Sequence, residues 1–588
     1  MKRKRSINIK WVHTSDFHGD LFGYNYQIGK STGNGLQAIY SYVCQKERED
    51  GERLIVTDGG DCLQGQPVAY YYNFIDTKSP HLVAEVMNEM GYVCGVMGNH
   101  DIEVGKSTFE RWERDCRFPL LGANVLDKRT RNPYLQPYII LNRCGIKIAI
   151  LGMVTPVVPY YQPESLWENL IFEEIIPSAG RWVKCIQERE NPDILAGIFH
   201  SGFDGGFDVD GICHENTVRA VAEQIPGFDI ILYGHDHVPA VHRIKNVNGN
   251  EVTCLGAVTK DGYFAEVDIK IIIQDGKIIS KVIKGRIRNI AKNIPLSFHH
   301  SELLDSKFAH QIQKVSEWAK SPLCDLPESL AEQDTYFGTC PFMDYIHHVQ
   351  LEMTGADISL AAPFAYNSQL RKGTLTIGDL FPLLGYEEFV YKVRMTGQEI
   401  LNLLEYSYGR WVTTMQQPED HLLLIRKRDA NVRTIDKFKR LVIRLIRERK
   451  LFAEKYLSDW ALMYSPSDLY SAAGIIYTVD VTKPTGSRIT IYTMADGTPF
   501  LPDLDYNVAV NRRLLFDKSG AIAKGARIPQ KEIPSRIISI SEKALPYYMM
   551  NMMASQKNIH INKICNWRFV PNDLVSQAAN ADRRLLFQ

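Results

Sequence analysis

At 588 residues the chain is too long for a single hydrophobic core, so two large domains are the default expectation, and 45% hydrophobic with 23% charged residues is ordinary for a globular protein. Its 68 basic and 68 acidic residues cancel to a net charge of +0, which excludes a global field steering it to nucleic acid or a membrane surface. Eleven cysteines, an odd number with no CxxC pair, argue against a disulfide framework and against a thiolate zinc site.

The first residues, MKRKRSINIKWVHTSD, are basic like the start of a signal peptide but lack its apolar run, and lead straight into a strand. No stretch reaches the roughly 18 apolar residues of a membrane helix. As given, the chain is expected in the cytoplasm, with no transmembrane segment and no stable nucleic-acid partner. Its oligomeric state is not set by the sequence.

Residues 1–290 alternate β-rich and helical runs. IKWVHTS, RLIVTDG, YVCGVMG, IKIAILGMV, DILAGIFH and DIILYGH predict buried strands, and HLVAEVMNEM, AGRWVKCIQERE and ENTVRAVAEQI predict amphipathic helices between them. Strand–helix alternation predicts mostly parallel pairing, with functional residues at the carboxyl ends of strands. From Val241 to Lys284 the pattern turns all-β, so a mixed sheet finishes the domain. Residues 291–335 are expected to form a helical connector, with SELLDSKFAHQIQKVSEWA as one helix. A second α/β domain over 336–588 is expected to use ADISLAAP, EFVYKVRM, GIIYTVDV, RITIYTM and YNVAVN as strands. Its helices are expected at PFMDYIHHVQLEMT, TGQEILNLLEYSYG and EKALPYYMMNMMAS. Within it, a basic insertion at 425–465 (FKRLVIRLIRERKLFAEKY at its centre) has apolar residues at helical spacing, fitting a surface helix or a site for an acidic partner. RRLLF occurs twice, at Arg512–Phe516 and Arg583–Phe587.

The predicted strands of the first domain end in metal-seeking motifs: TSDFHG (Asp16, His18), GGDCLQG (Asp61), MGNHD (Asn99, His100), IFHSG (His200) and YGHDH (His235, His237). Oxygen and nitrogen ligands without thiolates suit a pair of divalent cations, with Mn, Zn, Fe, Mg and Co all compatible. Two such ions about 3.5–4 Å apart activate water against a phosphoester. Asp61, with two carboxylate oxygens, is the natural bridge. Asn99 offers a neutral carbonyl oxygen, which keeps the cationic charge from being over-neutralised.

In this order and spacing the motifs resemble the calcineurin-like metallophosphoesterases of the 5′-nucleotidase family (DxH, GD, GNH[DE], H, GHxH). The resemblance implies an α/β fold: an N-terminal metallophosphoesterase α/β/β/α sandwich with mixed sheets, plus a C-terminal α/β 5′-nucleotidase-type domain. It implies one metal held by Asp16, His18, Asp61 and His237 and a second by Asp61, Asn99, His200 and His235. His100 becomes the catalytic histidine, stabilising the transition state or protonating the leaving oxygen. Its orienting carboxylate in the family is an Asp three residues on, where this chain has Glu103; Asp101 is the other candidate. Family members are often periplasmic or surface-exposed.

The second half resembles the family's C-terminal domain over SLAAPFAYNS, LTIGDLFPLLGYEEFVYKVRMTGQEILNLLEYSYGRW, SAAGIIYTVDVTKPTGSRITIY and DGTPFLPDLDYNVAVN. The APF and LExSxG segments are most similar to the 2′,3′-cyclic-nucleotide 2′-phosphodiesterase/3′-nucleotidase branch. A nucleotide substrate is implied, its base gripped between two rings. Tyr477 matches the first ring, where stacking is worth about 1–3 kcal/mol per base. The second falls on Arg513, and the family's Gly-rich loop is replaced by Leu515, Phe516, Asp517 and Lys518. Arg513 by cation–π contact, or Phe516, is the substitute. Asn367 is expected to hydrogen-bond substrate, with Arg371 a weaker candidate. The altered loop keeps two alternatives open: a hydrolase of UDP-sugars or other phosphoesters, and a catalytically impaired nucleotide-binding protein.

Overall fold

The computed structural model describes residues 4–26, 30–31, 35–209, 211–294, 302–363, 366, 368–381, 388–427, 458–516, 520–556, 561 and 564–587. The chain divides into two units, Met1–Ala319 and Lys320–Gln588. Asn367, Asp517, Lys518 and the basic segment 428–457 lie outside the described residues.

The first unit contains two six-stranded mixed sheets. In one, Lys4–Thr14, Leu54–Asp58, Cys94–Val96 and Leu120–Leu121 run parallel, and Tyr263–Gln274 and Lys277–Asn289 add antiparallel beside Lys4–Thr14. In the other, Ile146–Val154, Ile194–His200, Ile230–Tyr233 and Glu251–Gly256 run parallel, with antiparallel edges at Tyr138–Arg143 and Ala240–Lys245. The central parallel strands are rich in β-branched residues and buried on both faces, as parallel strands between layers must be. Ile7, Ile9, Val56, Ile148, Ile150, Ile198 and Leu232 from the two sheets share one core, while Leu151, Phe199 and Tyr233 point to a second core under the helices Ile175–Glu190 and Val218–Gln224. Because the central strands of each sheet are parallel, their carboxyl ends gather the loops that carry the ligand motifs.

The expected connector helix forms as Glu302–Lys307 and Ala309–Ala319, interrupted at Phe308, and packs on the helices Gly35–Asp50 and Pro67–Tyr70 of the first unit. Residues 322–331 instead form short strands that pair within the second unit.

The second unit is built on a five-stranded sheet in the order Ser471–Ala473, Ile358–Ala361, Asp505–Asn511, Val390–Thr396, Ile537–Ile540, and a three-stranded sheet of Ile489–Met494, Ile475–Asp480 and Trp567–Val570. Helix Gly397–Trp411 starts in a capping box: Thr396 Oγ1 accepts from Glu399 N at 3.2 Å and the Glu399 carboxylate accepts from Thr396 N at 2.8 Å. Its LEYSYG stretch is structural. Glu405 accepts backbone N–H groups of Gly486 and Ile489, and Ser407 bonds both N and O of Tyr470. Both RRLLF copies are helical, and the second ends the helix Asn572–Phe587, where Phe587 stacks on Tyr336. Among the described residues no helix is long and apolar enough to cross a membrane.

Candidate metal centre

The loops after strands Lys4–Thr14 and Leu54–Asp58 bond to each other along their backbones. Gly59 N donates to Thr14 O at 2.8 Å, Asp16 N to Gly60 O at 2.9 Å, and His18 N to Asp61 O at 3.0 Å. Asp16, His18, Asp61, His235 and His237 all have positive φ, between 48° and 78°. L-residues rarely adopt this region, at a cost on the order of 1–3 kcal/mol each, and such strain concentrates at functional sites. Here it turns side chains off the strand ends toward one point.

Asp101 locks this geometry. One carboxylate oxygen accepts from Cys62 N at 2.7 Å and Leu63 N at 3.0 Å, the other from Asp61 N at 3.0 Å and Gly98 N at 2.8 Å. With Asp101 so engaged, the partner of His100 is Glu103, whose Oε2 lies 2.6 Å from His100 Nδ1.

Asp16, His18, Asp61 and His237 place ligating atoms within 4.8 Å of one another, and so do Asp61, His200 and His235. Asp61 is common to both groups. Its Oδ2 is 3.2 Å from His200 Nε2 and 4.0 Å from both His18 Nε2 and His100 Nε2, and its Oδ1 accepts from His100 N at 2.9 Å. Asn99 Oδ1 lies 3.0 Å from His200 Nε2, and His237 Nε2 lies 3.2 Å from Asp16 Oδ1.

Orienting bonds set the ring tautomers. His18 Nδ1 donates to Gln64 Oε1 at 2.7 Å, and His200 Nδ1 to Gly59 O at 2.7 Å. His235 Nε2 donates to Glu215 Oε1 at 2.8 Å, which turns Nδ1 inward. A metal-binding histidine needs such a bond on its outer nitrogen. The arrangement fits a cation in a second way. His18 Nε2 faces His237 Nε2 at 3.3 Å, and His200 Nε2 faces the oxygens of Asn99 and Asp61, so acceptors converge where positive charge belongs. Burial opposes a charge on His200, but the Asp61 carboxylate outweighs it and pushes His200 up to about 10. The donor set could therefore hold divalent metal. Gln64, Glu215 and Asp101 were not assigned these roles by motif spacing. Gln64 sits inside GGDCLQG, where its reach to His18 was the available signal.

In the second unit the ring expected to stack on a base is core. Tyr477 is 1% exposed, its hydroxyl bonds Tyr408 at 2.9 Å and Ala472 N at 3.1 Å, and Trp567 stacks on it at 5.8 Å. A base needs an open ring face, so in this conformation Tyr477 is not a platform. Phe516 is also buried, against Tyr391. Arg513 is exposed and pairs with Asp468 at 3.4 Å, and Arg371 is exposed.

Residues 9–239 match the calcineurin-like phosphoesterases and residues 319–523 the 5′-nucleotidase C-terminal domain. The chain is 23% identical over 625 residues to the trifunctional nucleotide phosphoesterase YfkN of Bacillus subtilis, covering 96% of this chain but 39% of that protein. It is 22% identical over 630 residues to the 2′,3′-cyclic-nucleotide 2′-phosphodiesterase/3′-nucleotidase of Haemophilus influenzae, covering 97% of this chain and 88% of that one. Among solved structures, a putative 5′-nucleotidase of Staphylococcus aureus superposes with a TM-score of 0.67 at 16% identity, covering 96% of this chain and all (100%) of that one. The chain thus joins a calcineurin-like phosphoesterase domain to a 5′-nucleotidase C-terminal domain and has the two-domain 5′-nucleotidase fold.

Proposed function

We propose that this chain hydrolyses nucleotide phosphoesters at a dinuclear centre. Asp16, His18, Asp61 and His237 hold one divalent ion, and Asp61, Asn99, His200 and His235 the other. The observation that carries this reading is Asp61, shared by two groups of converging ligands with His100 Nε2 4.0 Å from its carboxylate. When bound there, the two ions supply Lewis-acid activation of water and charge stabilisation at the phosphoryl group.

The chain's own residues do the rest. His100 donates from Nδ1 to Glu103, so Nε2 faces the reacting group and passes a proton to the departing oxygen. Glu103 stabilises the charged ring and fixes its rotation. Its extra methylene over Asp is accommodated at 2.6 Å. Asn99 adds a neutral oxygen where a further carboxylate would cancel positive charge. The relatives' names, which include 5′-nucleotidases of Vibrio, support a nucleoside 2′,3′-cyclic diester or a 3′- or 5′-monoester as substrate. Eleven free thiols suit a reducing compartment such as the cytoplasm.

The test is hydrolysis by the purified chain with Mn²⁺ of 2′,3′-cyclic AMP, 3′-AMP, 5′-AMP, UDP-glucose and p-nitrophenyl phosphate, with the nucleoside and nucleotide products resolved by chromatography and nitrophenolate read by absorbance. Turnover of at least one of the first three, abolished by EDTA and by Asp61→Asn, is expected. Turnover confined to the aryl phosphate or to UDP-glucose overturns the nucleotide assignment. Nucleotide binding without turnover of any compound overturns the enzymatic one.

A further inference from the structure

Two neighbouring residues outside every ligand motif reach both orienting carboxylates. Tyr161 ends the short helix Val158–Tyr161 and Gln162 caps it, in the connection that follows strand Ile146–Val154, and they are 5% and 0% exposed. The Tyr161 hydroxyl donates to Glu215 Oε1 at 2.8 Å, the same oxygen that accepts from His235 Nε2 at 2.8 Å. Gln162 Nε2 donates to Glu103 Oε1 at 3.4 Å and to the backbone oxygen of Asn99. Both partners are acceptors, which assigns the amide nitrogen to that side. The loop is itself held: Trp167 Nε1 donates to Gln162 O at 3.1 Å, and Thr155 N to His200 O at 2.8 Å.

Glu103 has one more torsion than the Asp expected at its position, so a carboxylate on that longer arm can rotate away from His100. A second bond on Oε1 removes that freedom and keeps Oε2 on His100 Nδ1. Glu215 has the same need, since His235 presents Nδ1 inward only while Nε2 is held outward. We propose that Tyr161 and Gln162 form a two-residue brace that positions His100 through Glu103 and His235 through Glu215, setting leaving-group protonation and metal affinity from a single loop. The proposal rests on the phosphoesterase reading of the same centre.

The two arms separate experimentally in the full-length chain. Gln162→Met keeps the volume and removes the donor. With the nucleotide that the chain hydrolyses, kcat is expected to fall about 10- to 100-fold with KM unchanged, in the range seen for lost outer partners of metal sites. The aryl phosphate, whose phenolate departs without a proton, is expected to keep most of its rate. In a Glu103→Gln background, adding Gln162→Met should cost little more, because both changes disable the same contact. Proportional losses on both substrates, or additive losses in the double variant, overturn the Gln162 arm. Tyr161→Phe removes one oxygen and is expected to raise the Mn²⁺ dissociation constant by about 10-fold, read by electron paramagnetic resonance without substrate. An unchanged Mn²⁺ affinity overturns the Tyr161 arm. Circular dichroism melting of each variant guards against misfolding, and Gln162→Leu serves if Gln162→Met does not fold. Should the unaltered chain turn over no phosphoester, the proposed function fails, while the Mn²⁺ measurement still decides whether the brace acts on His235.

Discussion

His18 and His237 aim their Nε2 atoms at each other across 3.3 Å, although they come from loops 219 residues apart on different sheets. Gln64 takes the only proton of neutral His18, so the pair has at most one proton between them and Asp16 beside it. A single proton cannot serve two ring nitrogens and a carboxylate held this close, whereas a shared cation would serve all three. Removing metal should therefore destabilise the first unit. With Mn²⁺ at about 100 times its dissociation constant, stabilisation of about 2.7 kcal/mol is expected, lost on adding EDTA. Differential scanning calorimetry reads this directly. A melting profile indifferent to Mn²⁺ and EDTA would count against the centre.

Glycine in the motifs is required by close approach. A Cβ on Gly98 would sit 2.1 Å from Asp61 Oδ1, and one on Gly234 would sit 2.2 Å from Asp16 Oδ2 and 1.9 Å from Ser15 Oγ. Gly98→Ala and Gly234→Ala should each displace a carboxylate and lower Mn²⁺ affinity by at least about 10-fold. Gly180, inside helix Ile175–Glu190, meets only Ile225 Cδ1 at 3.5 Å. Gly180→Ala should leave affinity unchanged and stabilise by about 0.5–1 kcal/mol. Titration calorimetry on the three variants separates them, and equal affinities throughout would refute the packing account.

Asp101 accepts two backbone N–H groups on each oxygen. Asn keeps one oxygen but turns an amide donor against the other pair. Asp101→Asn should cost ~2–3 kcal/mol of stability and loosen the turn carrying Asp61, weakening metal binding although no ligand has changed. Urea unfolding with and without Mn²⁺ measures both effects. Wild-type values on both would show that the four bonds contribute little.

The convergence of these histidines and carboxylates was legible because each demand of the proposed dinuclear site selects a residue type, and strand ends present those types in short motifs. Their supports were not, since Gln64, Glu215 and Gln162 are ordinary polar residues until the fold brings them near a histidine. Glu215 shows how local pattern misleads. ENTVRAVAEQI has helical periodicity from its start, yet Glu215 and Asn216 belong to the strand Cys213–Asn216, where Asn216 pairs with Gly205, and the helix begins at Val218. That pairing carries Glu215 to His235. Tyr477 fails for a related reason. Alternation places it on a strand but cannot tell an inward ring, held by Tyr408 and Trp567, from one open to a ligand.

Acid should loosen the second unit through a buried histidine. His347, on helix Pro341–Thr354, bonds Ser359 Oγ at 2.9 Å through Nδ1 and Ser471 Oγ at 3.1 Å through Nε2, pinning two paired strands. Ser359 donates its own proton to Gln350 Oε1 at 2.8 Å, so His347 Nδ1 carries hydrogen and Nε2 accepts. Burial lowers its pKa from 6.5 to about 3. The folded state therefore binds fewer protons than the unfolded one between these values. The neutral ring's contribution is complete above pH 6.5 and declines as pH falls toward 3, by up to about 1.4 kcal/mol per pH unit. Hydrogen exchange across Ile358–Ala361 should accelerate between about pH 7 and pH 5 beyond the intrinsic change. His347→Gln, which does not titrate, should begin less protected at neutral pH and show a shallower acid response. If the variant and the parent lose protection in parallel, His347 is not the acid-sensitive group of this unit.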